Sequence, residues 1–313
     1  DHTRLRRVVA AAFSPRRADL LRADVRRVTD ALIAGILPRG RADLIGDFAY
    51  PLATTVLCQV LGVPTTDLGV FRQWTSNAVT GPDGDRGVTG EREPGRYLRA
   101  LVAARRREPG DDVLSALIEA GDRELLSESE LLSMCFLLLV AGHENSVGLI
   151  GNGITTLLRH PDQLALLRAR PDLLDSAVEE VLRYDGPMDI AAWRYATEPV
   201  ELGGVRIPAG HPVLVCVAGA NHDPARFTDA DRFDITREDN PHLGFGHGIH
   251  HCLGAPLARV EVRVALEALV HRLPGLALAR PLEEIPRQPS LFIRGLYELP
   301  VTFTPAPSPG GPG

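Results

Sequence analysis

Lysine is missing altogether: the 34 basic residues of this 313-residue chain are all arginine. Selection for guanidinium chemistry would hardly remove every Lys, so the bias reads as the codon usage of a GC-rich bacterial genome. Cysteine is scarce. Cys58, Cys135, Cys216 and Cys252 stand far apart with no CxxC pair, which argues against a disulfide framework and a zinc ribbon, so each is read singly. Positive charge is in deficit, with 34 basic against 40 acidic residues and a formal net charge of -6. No general attraction to nucleic acid or to an anionic membrane is therefore expected. Long apolar runs are lacking too. The most apolar one, Leu131 to Gly142, is short for a bilayer and runs into His143, Glu144 and Asn145. No signal peptide is visible, and a cytoplasmic location is expected. The chain opens at Asp1 in helical sequence without a starting Met, and so reads as cut.

What is present suits a globular chain with a large core, 44% hydrophobic and 24% charged. The first two thirds read as helices. "HTRLRRVVAAAF" places Leu5, Val8, Val9 and Ala12 on one face and ends at Ser14-Pro15. "ADLLRADVRRVTDALIAGI" is a second amphipathic helix. "DLIGDFAYPLATTVLCQVLGVP" holds two short helices with Pro51 at the break. Thr80 to Gly95 is a Gly/Asp/Pro-rich surface loop. Two helices split by Pro109-Gly110 follow. Ser127 then opens a long helix, apolar nearly all round from Leu131 to Val140, expected at the centre of the protein. Another helix spans about Pro171 to Tyr184. After Pro187 the text turns to β-branched residues and Gly/Pro turns, predicting short hairpins. "CLGAPLARVEVRVALEALVHRL" is a last long helix, and "LFIRGLYELPVTF" a closing hairpin. The expected class is mainly α with small β-sheets. Residues 305–313 form a Pro/Gly tail, disordered by composition.

The most informative segment is "FGHGIHHCLGAPLAR". Gly246 and Gly248 permit a tight turn whose backbone can approach a flat ligand. Cys252 sits where the turn becomes a helix, where free N–H groups and the helix dipole favour a thiolate. Thiolate ligation of haem iron pushes electron density toward the metal. Two blander readings stand beside this one: a buried apolar Cys, and metal binding by His247, His250, His251 and Cys252, although consecutive His residues in one turn cannot all point inward.

Phe245, Gly246, Gly248, His250, Cys252 and Gly254 together resemble the haem-binding loop of the cytochromes P450. The resemblance implies the P450 fold over residues 1–304, lacking its opening strands, first helices and a loop that roofs the pocket. Apolar surface would then be exposed. It implies haem b (iron protoporphyrin IX) as cofactor, Cys252 as the iron ligand, His250 on a haem propionate and Phe245 beside the thiolate. His2 and Arg6, four apart on one helical face, resemble the family's propionate-binding pair, and Arg194 a further propionate ligand. Glu180 and Arg183, three apart, can pair on a helix. They resemble the family's ExxR pair, with Arg237 as third member of a structural network.

"AGHENS" resembles the oxygen-side kink of the central P450 helix, with Gly142 leaving room for dioxygen and Glu144 as proton-relay acid. The family usually places Thr next, whereas this chain has Asn145 and then Ser146, either of which can hydrogen-bond. Hydroxylation or epoxidation is the expected reaction. Oxidative phenol or C–C coupling is the alternative, and a non-catalytic haem-binding fragment or sensor a third reading. Leu137, Val140, Ala141, Ile190, Ala192, Phe292 and Ile293 would line an apolar pocket, suited to a small lipophilic substrate; ordinary core packing is the other reading. The segment "LLRHPDQLALLRARPDLLDSAVEEVLRYDGP" resembles bacterial P450s that decorate macrolides and polyketides. Partners implied are O2, ferredoxin and ferredoxin reductase, docking on a face with Arg4, Arg7 and Arg259, with neither nucleic acid nor membrane.

Overall fold

The computed structural model describes residues 2–10, 13–64, 93–123 and 125–306. Ala12, most of the Thr80–Gly95 loop and residues 307–313 lie outside them.

Helix α1 is His2–Ala10 and α2 is Pro15–Ile36. Ser14 caps α2 by accepting from the Arg17 N–H at 3.4 Å, and Pro15 opens its first turn, where a missing N–H costs nothing. Ala18, Val25, Thr29, Ile33 and Ile36 are its buried stripe, and it packs along the last long helix, Ala255–Arg272 (α11). A short π-helical turn, Ile45–Ala49, runs straight into α3, Tyr50–Leu61. The predicted break at Pro51 is thus a change of helical type one residue earlier, with Pro51 in the first turn of α3. Helices α4 (Glu93–Arg107) and α5 (Val113–Asp122) follow.

Helix α6, Glu128–Ala141, starts with a capping box: Ser127 accepts from the Glu130 N–H while Glu130 accepts from that of Ser127. It is not the central helix. Leu131, Leu132, Cys135 and Leu139 are buried, but Leu137 and Ala141 are exposed on its other face. The central place belongs to α7, Glu144–Arg159, buried from Ser146 through Leu157 between α3, α11 and the helix Leu174–Tyr184 (α9). Its small residues let neighbours approach from every side. The sequence pattern ended the apolar run at His143. In the fold, Glu128–Arg159 as a whole is long and apolar enough to cross a membrane, though half of it is buried inside the protein. It is broken at Gly142-His143 and its second half is core.

Helix α8 (Pro161–Ala169), unread in the sequence, precedes α9 (Leu174–Tyr184). Strands β2 (Arg194–Tyr195) and β5 (Pro212–Val213) pair, enclosing the hairpin β3 (Val200–Leu202)–β4 (Val205–Ile207). A short helix α10, Val217–Asn221, leads into a long irregular stretch, and α11 is Ala255–Arg272. The closing hairpin predicted for 291–303 is not formed. Only Pro300–Thr302 is a strand (β7), and it lies between β1 (Arg41–Asp43) and β6 (Ala277–Leu278). Ala42 faces Val301 in that sheet, so β7's partners come from far along the chain, a pairing no local pattern encodes.

Candidate functional site

Cys252 lies two residues before the α11 N-cap, Gly254. Its N–H donates to Phe245 O at 2.8 Å, closing the turn, and Gly246 and Gly248 both sit at φ 72°. That is left-handed backbone, which glycine adopts without strain. Cys252 as a residue is open to solvent, yet burial of its sulfur pushes the thiol above its ordinary value. The N–H groups of Gly254 and Ala255 and the charges of Arg6 and Arg259 pull the other way. The predicted lowering by the helix terminus is therefore present as a force but outweighed.

Four basic side chains gather beside this turn. The rings of His2 and His250 are 4.2 Å apart. Arg6 donates to His251 O at 2.6 Å. Burial lowers the His250 pKa, and His2, Arg194 and Arg6 lower it further. Arg194 donates only to its neighbours Ala192 O and Trp193 O, each at 3.1 Å. His2 Nδ1 is buried without a partner. Among the described residues no carboxylate pairs with Arg6 or Arg194. Two guanidiniums and two imidazoles gathered beside an open thiol have the donor set for a flat ligand carrying two carboxylates. The residues fit haem. The His-cluster alternative has no support, since no group of His, Cys, Asp or Glu among the described residues could hold a metal ion.

Glu180 and Arg183 are fully buried on α9. Arg183 grips Glu180 with two bonds of 2.8 Å and gives its remaining donors to Asn221 O, Ala230 O and Arg232 O. Arg237 reaches Glu180 at 3.2 Å, and the Asp234 N–H and Asn240 amide complete the carboxylate's partners. Asn221 then accepts from the Leu243 N–H at 2.7 Å. The network so reaches the strand of chain that becomes the Cys252 turn.

On the other side, Gly142 ends α6, and a Cβ there would come within 2.6 Å of both Leu57 Cδ1 and Leu138 O. Its small size is thus demanded by packing, whatever else it admits. Glu144 opens α7, its carboxylate 3.3 Å from His143 Nε2. Asn145 Oδ1 is buried without a partner. Ser146 is buried in the core, where its hydroxyl opposes the effect of burial on Glu261; burial pushes that carboxyl up to about 7, and its Oε1 is buried without a partner. Sequence reading missed Glu261; its one signal is an acid on the apolar face of α11. None of Leu137, Val140, Ala141, Ile190, Ala192, Phe292 and Ile293 belongs to the buried core.

Two of the three supposed docking arginines are already engaged. Arg4 pairs with Glu130, and Arg259 grips Glu179 with bonds of 2.6 and 2.8 Å while lying 4.6 Å over the Phe245 ring. Arg7 alone of the three is exposed without a described ion pair. Glu179 also holds His242 at 2.9 Å.

Residues 97–275 match the family model described as Cytochrome P450. Cytochrome P450 monooxygenase PikC of Streptomyces venezuelae is 49% identical over 306 residues, covering 96% of this chain and 74% of PikC. Mycinamicin IV hydroxylase/epoxidase of Micromonospora griseorubida is 44% identical over 313 residues, covering 97% and 78%. The crystal structure of myxobacterial cytochrome P450 CYP267B1 in complex with myristic acid superposes with a TM-score of 0.91 at 45% identity, covering 96% and 76%. The chain belongs to the cytochrome P450 family. It is a haem-iron monooxygenase, with haem b as its cofactor.

Proposed function

We propose that this enzyme hydroxylates or epoxidises a lipophilic secondary metabolite of the macrolide or polyketide class, using O2 and electrons from a ferredoxin and its reductase. The observation that carries this reading is the cluster of His2, Arg6, Arg194 and His250 around the Cys252 turn, in which neither arginine has a carboxylate partner among the described residues. In this reading Cys252 holds the iron, the four basic groups hold the propionates, and Phe245, Gly246, Gly248 and Gly254 shape the turn. Glu180, Arg183 and Arg237 brace it from behind. Bound haem supplies the activation of O2. Glu144, at the open end of α7, delivers protons to the oxygen side, with Asn145 and Gly142 beside it and Ser146 behind.

The apolar, unburied set from Leu137 to Ile293 accommodates substrate. The substrate class rests on similarity to the mycinamicin IV hydroxylase/epoxidase. The unit that does this is one domain over residues 1–304, working in the cytoplasm.

Reconstitution with haem and reduction under carbon monoxide tests the ligand set: the absorption band of thiolate-ligated haem is expected, and its absence from the wild-type chain overturns it. Turnover of mycinamicin IV with a surrogate ferredoxin and reductase tests the substrate class; an oxygenated product is expected, and a failure by this and other macrolides to bind counts against it. A second reading, oxidative coupling, draws on Asn145, whose carboxamide oxygen is buried without a partner where the family offers a hydroxyl. Products that lose hydrogen without gaining oxygen distinguish it.

A further inference from the structure

Two loops carry four of the seven proposed lining residues: Pro187–Ala192, with Ile190 and Ala192, and Ser290–Arg294, with Phe292 and Ile293. Two backbone hydrogen bonds, which together make the bridge between Met188 and Ile293, hold them to each other. The Asp189 N–H donates to Phe292 O at 3.1 Å, and the Arg294 N–H donates to Pro187 O at 2.8 Å. One side chain ties them further. Arg294 donates to Asp185 Oδ1 at 2.9 Å and to Asp189 Oδ2 at 3.2 Å, so a single guanidinium separates two carboxylates that would otherwise face each other.

The knot is docked on one stripe of α7. A Cβ at Gly148 would lie 3.0 Å from Pro187 Cβ and 3.3 Å from Arg294 O, so both loops touch the helix where it has no side chain. One turn on, the Asn152 amide gives its two hydrogens to Asp185 O at 3.0 Å and Arg294 O at 3.1 Å. A turn further, Thr156 donates to Asp185 Oδ2 at 3.2 Å. Glu144 precedes Gly148 by four residues, which places the proposed proton donor at the head of the same stripe.

We propose that Arg294 is a positioning residue for substrate selectivity, with Asn152 as its anchor, and that together they set the gap between the two lining loops and their height above α7. This rests on the substrate pocket proposed above. Removing the guanidinium leaves Asp185 and Asp189 as like charges in a half-buried place, and repulsion then drives the loops apart. The effect falls on large ligands that touch both loops and spares small ones that touch neither.

The test uses the full chain loaded with haem, and two nitrogen ligands of different bulk, imidazole and ketoconazole, each titrated by the shift of the haem absorption band. For Arg294→Gln the ratio of the two dissociation constants is expected to change at least tenfold, with imidazole within twofold of wild type. Arg294→Lys, which keeps the charge, is expected to recover most of the ratio. Asn152→Ser is expected to move it the same way by several-fold, and serves if Arg294→Gln fails to fold. An unchanged ratio, or equal weakening of both ligands, overturns the proposal. Should the wild-type chain take up no haem, the functional reading falls, and amide exchange then decides this one. Arg294→Gln must speed exchange in 187–191 and 292–294 together; a change in one loop alone, or in neither, sinks it.

Discussion

Two groups of charged side chains flank the Cys252 turn, and they are built in opposite ways. Behind it, Glu180 and Arg183 are fully buried, Arg237 reaches in from a half-buried position, and the Arg183 donors all find acceptors. Beside it, His2, Arg6, Arg194 and His250 form a cluster of basic side chains, largely open, with a buried nitrogen on His2 left unpaired. A closed set of charges acts on the protein's own chain, since burying it is tolerable only when every partner is present. A set of open donors without acid partners gains charge-assisted bonds when an anion arrives. The same residue type, arginine, serves both ends. What separates the roles is compensation.

The sharpest break of this contrast is Arg183→Ala. It takes the two-bond partner from a fully buried carboxylate and strips the Asn221 and Ala230 carbonyls of their donor, at a cost of roughly 3–5 kcal/mol. Denaturant unfolding is expected to show a large loss, or the protein is recovered only in aggregates. Next comes Cys252→Ser, for which we expect an unchanged unfolding midpoint and complete loss of the thiolate-type carbon monoxide spectrum. On the open side, Arg6→Ala or Arg194→Ala is expected to leave unfolding of the haem-free chain within about 0.5 kcal/mol of wild type. Haem titration should nonetheless weaken about tenfold or more, as the loss of a charge-assisted bond of ~1.5–3 kcal/mol requires. An arginine change that destabilised the haem-free chain as Arg183→Ala does would erase the distinction.

Glu261 is an intermediate case, a buried carboxyl with a hydroxyl but no cation. Burial, opposed by the Ser146 hydroxyl, raises it to about 7. Because the folded state then binds the proton more tightly than the unfolded one, stability falls as pH rises from the usual carboxylate range through about 7. Glu261→Gln is expected to stabilise the chain on the order of 3 kcal/mol at about pH 8 and hardly at all below about pH 4, read from denaturant melts at the two values. Glu179 has the opposite sign. Burial pushes it up, but Arg259 and His242 hold it at about 2, so its contribution is present above the usual carboxylate range and lost as pH falls toward 2. The smallest effect is expected for Arg4→Ala. It breaks an exposed ion pair with Glu130, and unfolding should shift by less than about 1 kcal/mol.

Much of the site was legible because its parts lie close together in the chain. The Gly246-to-Gly254 turn is a run of neighbours, and Glu180 and Arg183 share a helical face by spacing alone. Arg237, His2 and Arg194 were reached through resemblance, and the fold does bring the last two to the Cys252 turn. Other parts were not legible. The apolar text of Leu131–Val140 pointed to the core, but exposed Leu137 and Ala141 lie on α6, and burial passes to α7, whose Gly, Ser, Thr and Asn residues look unremarkable in sequence. Arg4 and Arg259 looked like free surface charge until the fold supplied Glu130 and Glu179.

The order of residues by itself determined the helices with caps and periodic faces, the glycine turn before Cys252, and the pairs three or four positions apart, because each depends on contacts within one or two turns of chain. Only the tertiary structure decided that β7 joins β1, that Ser146 meets Glu261, and that Arg294 stands between Asp185 and Asp189. Those partners are distant in sequence. What selects them is the requirement that a buried polar group find its complement, a condition that exists only once the chain has packed.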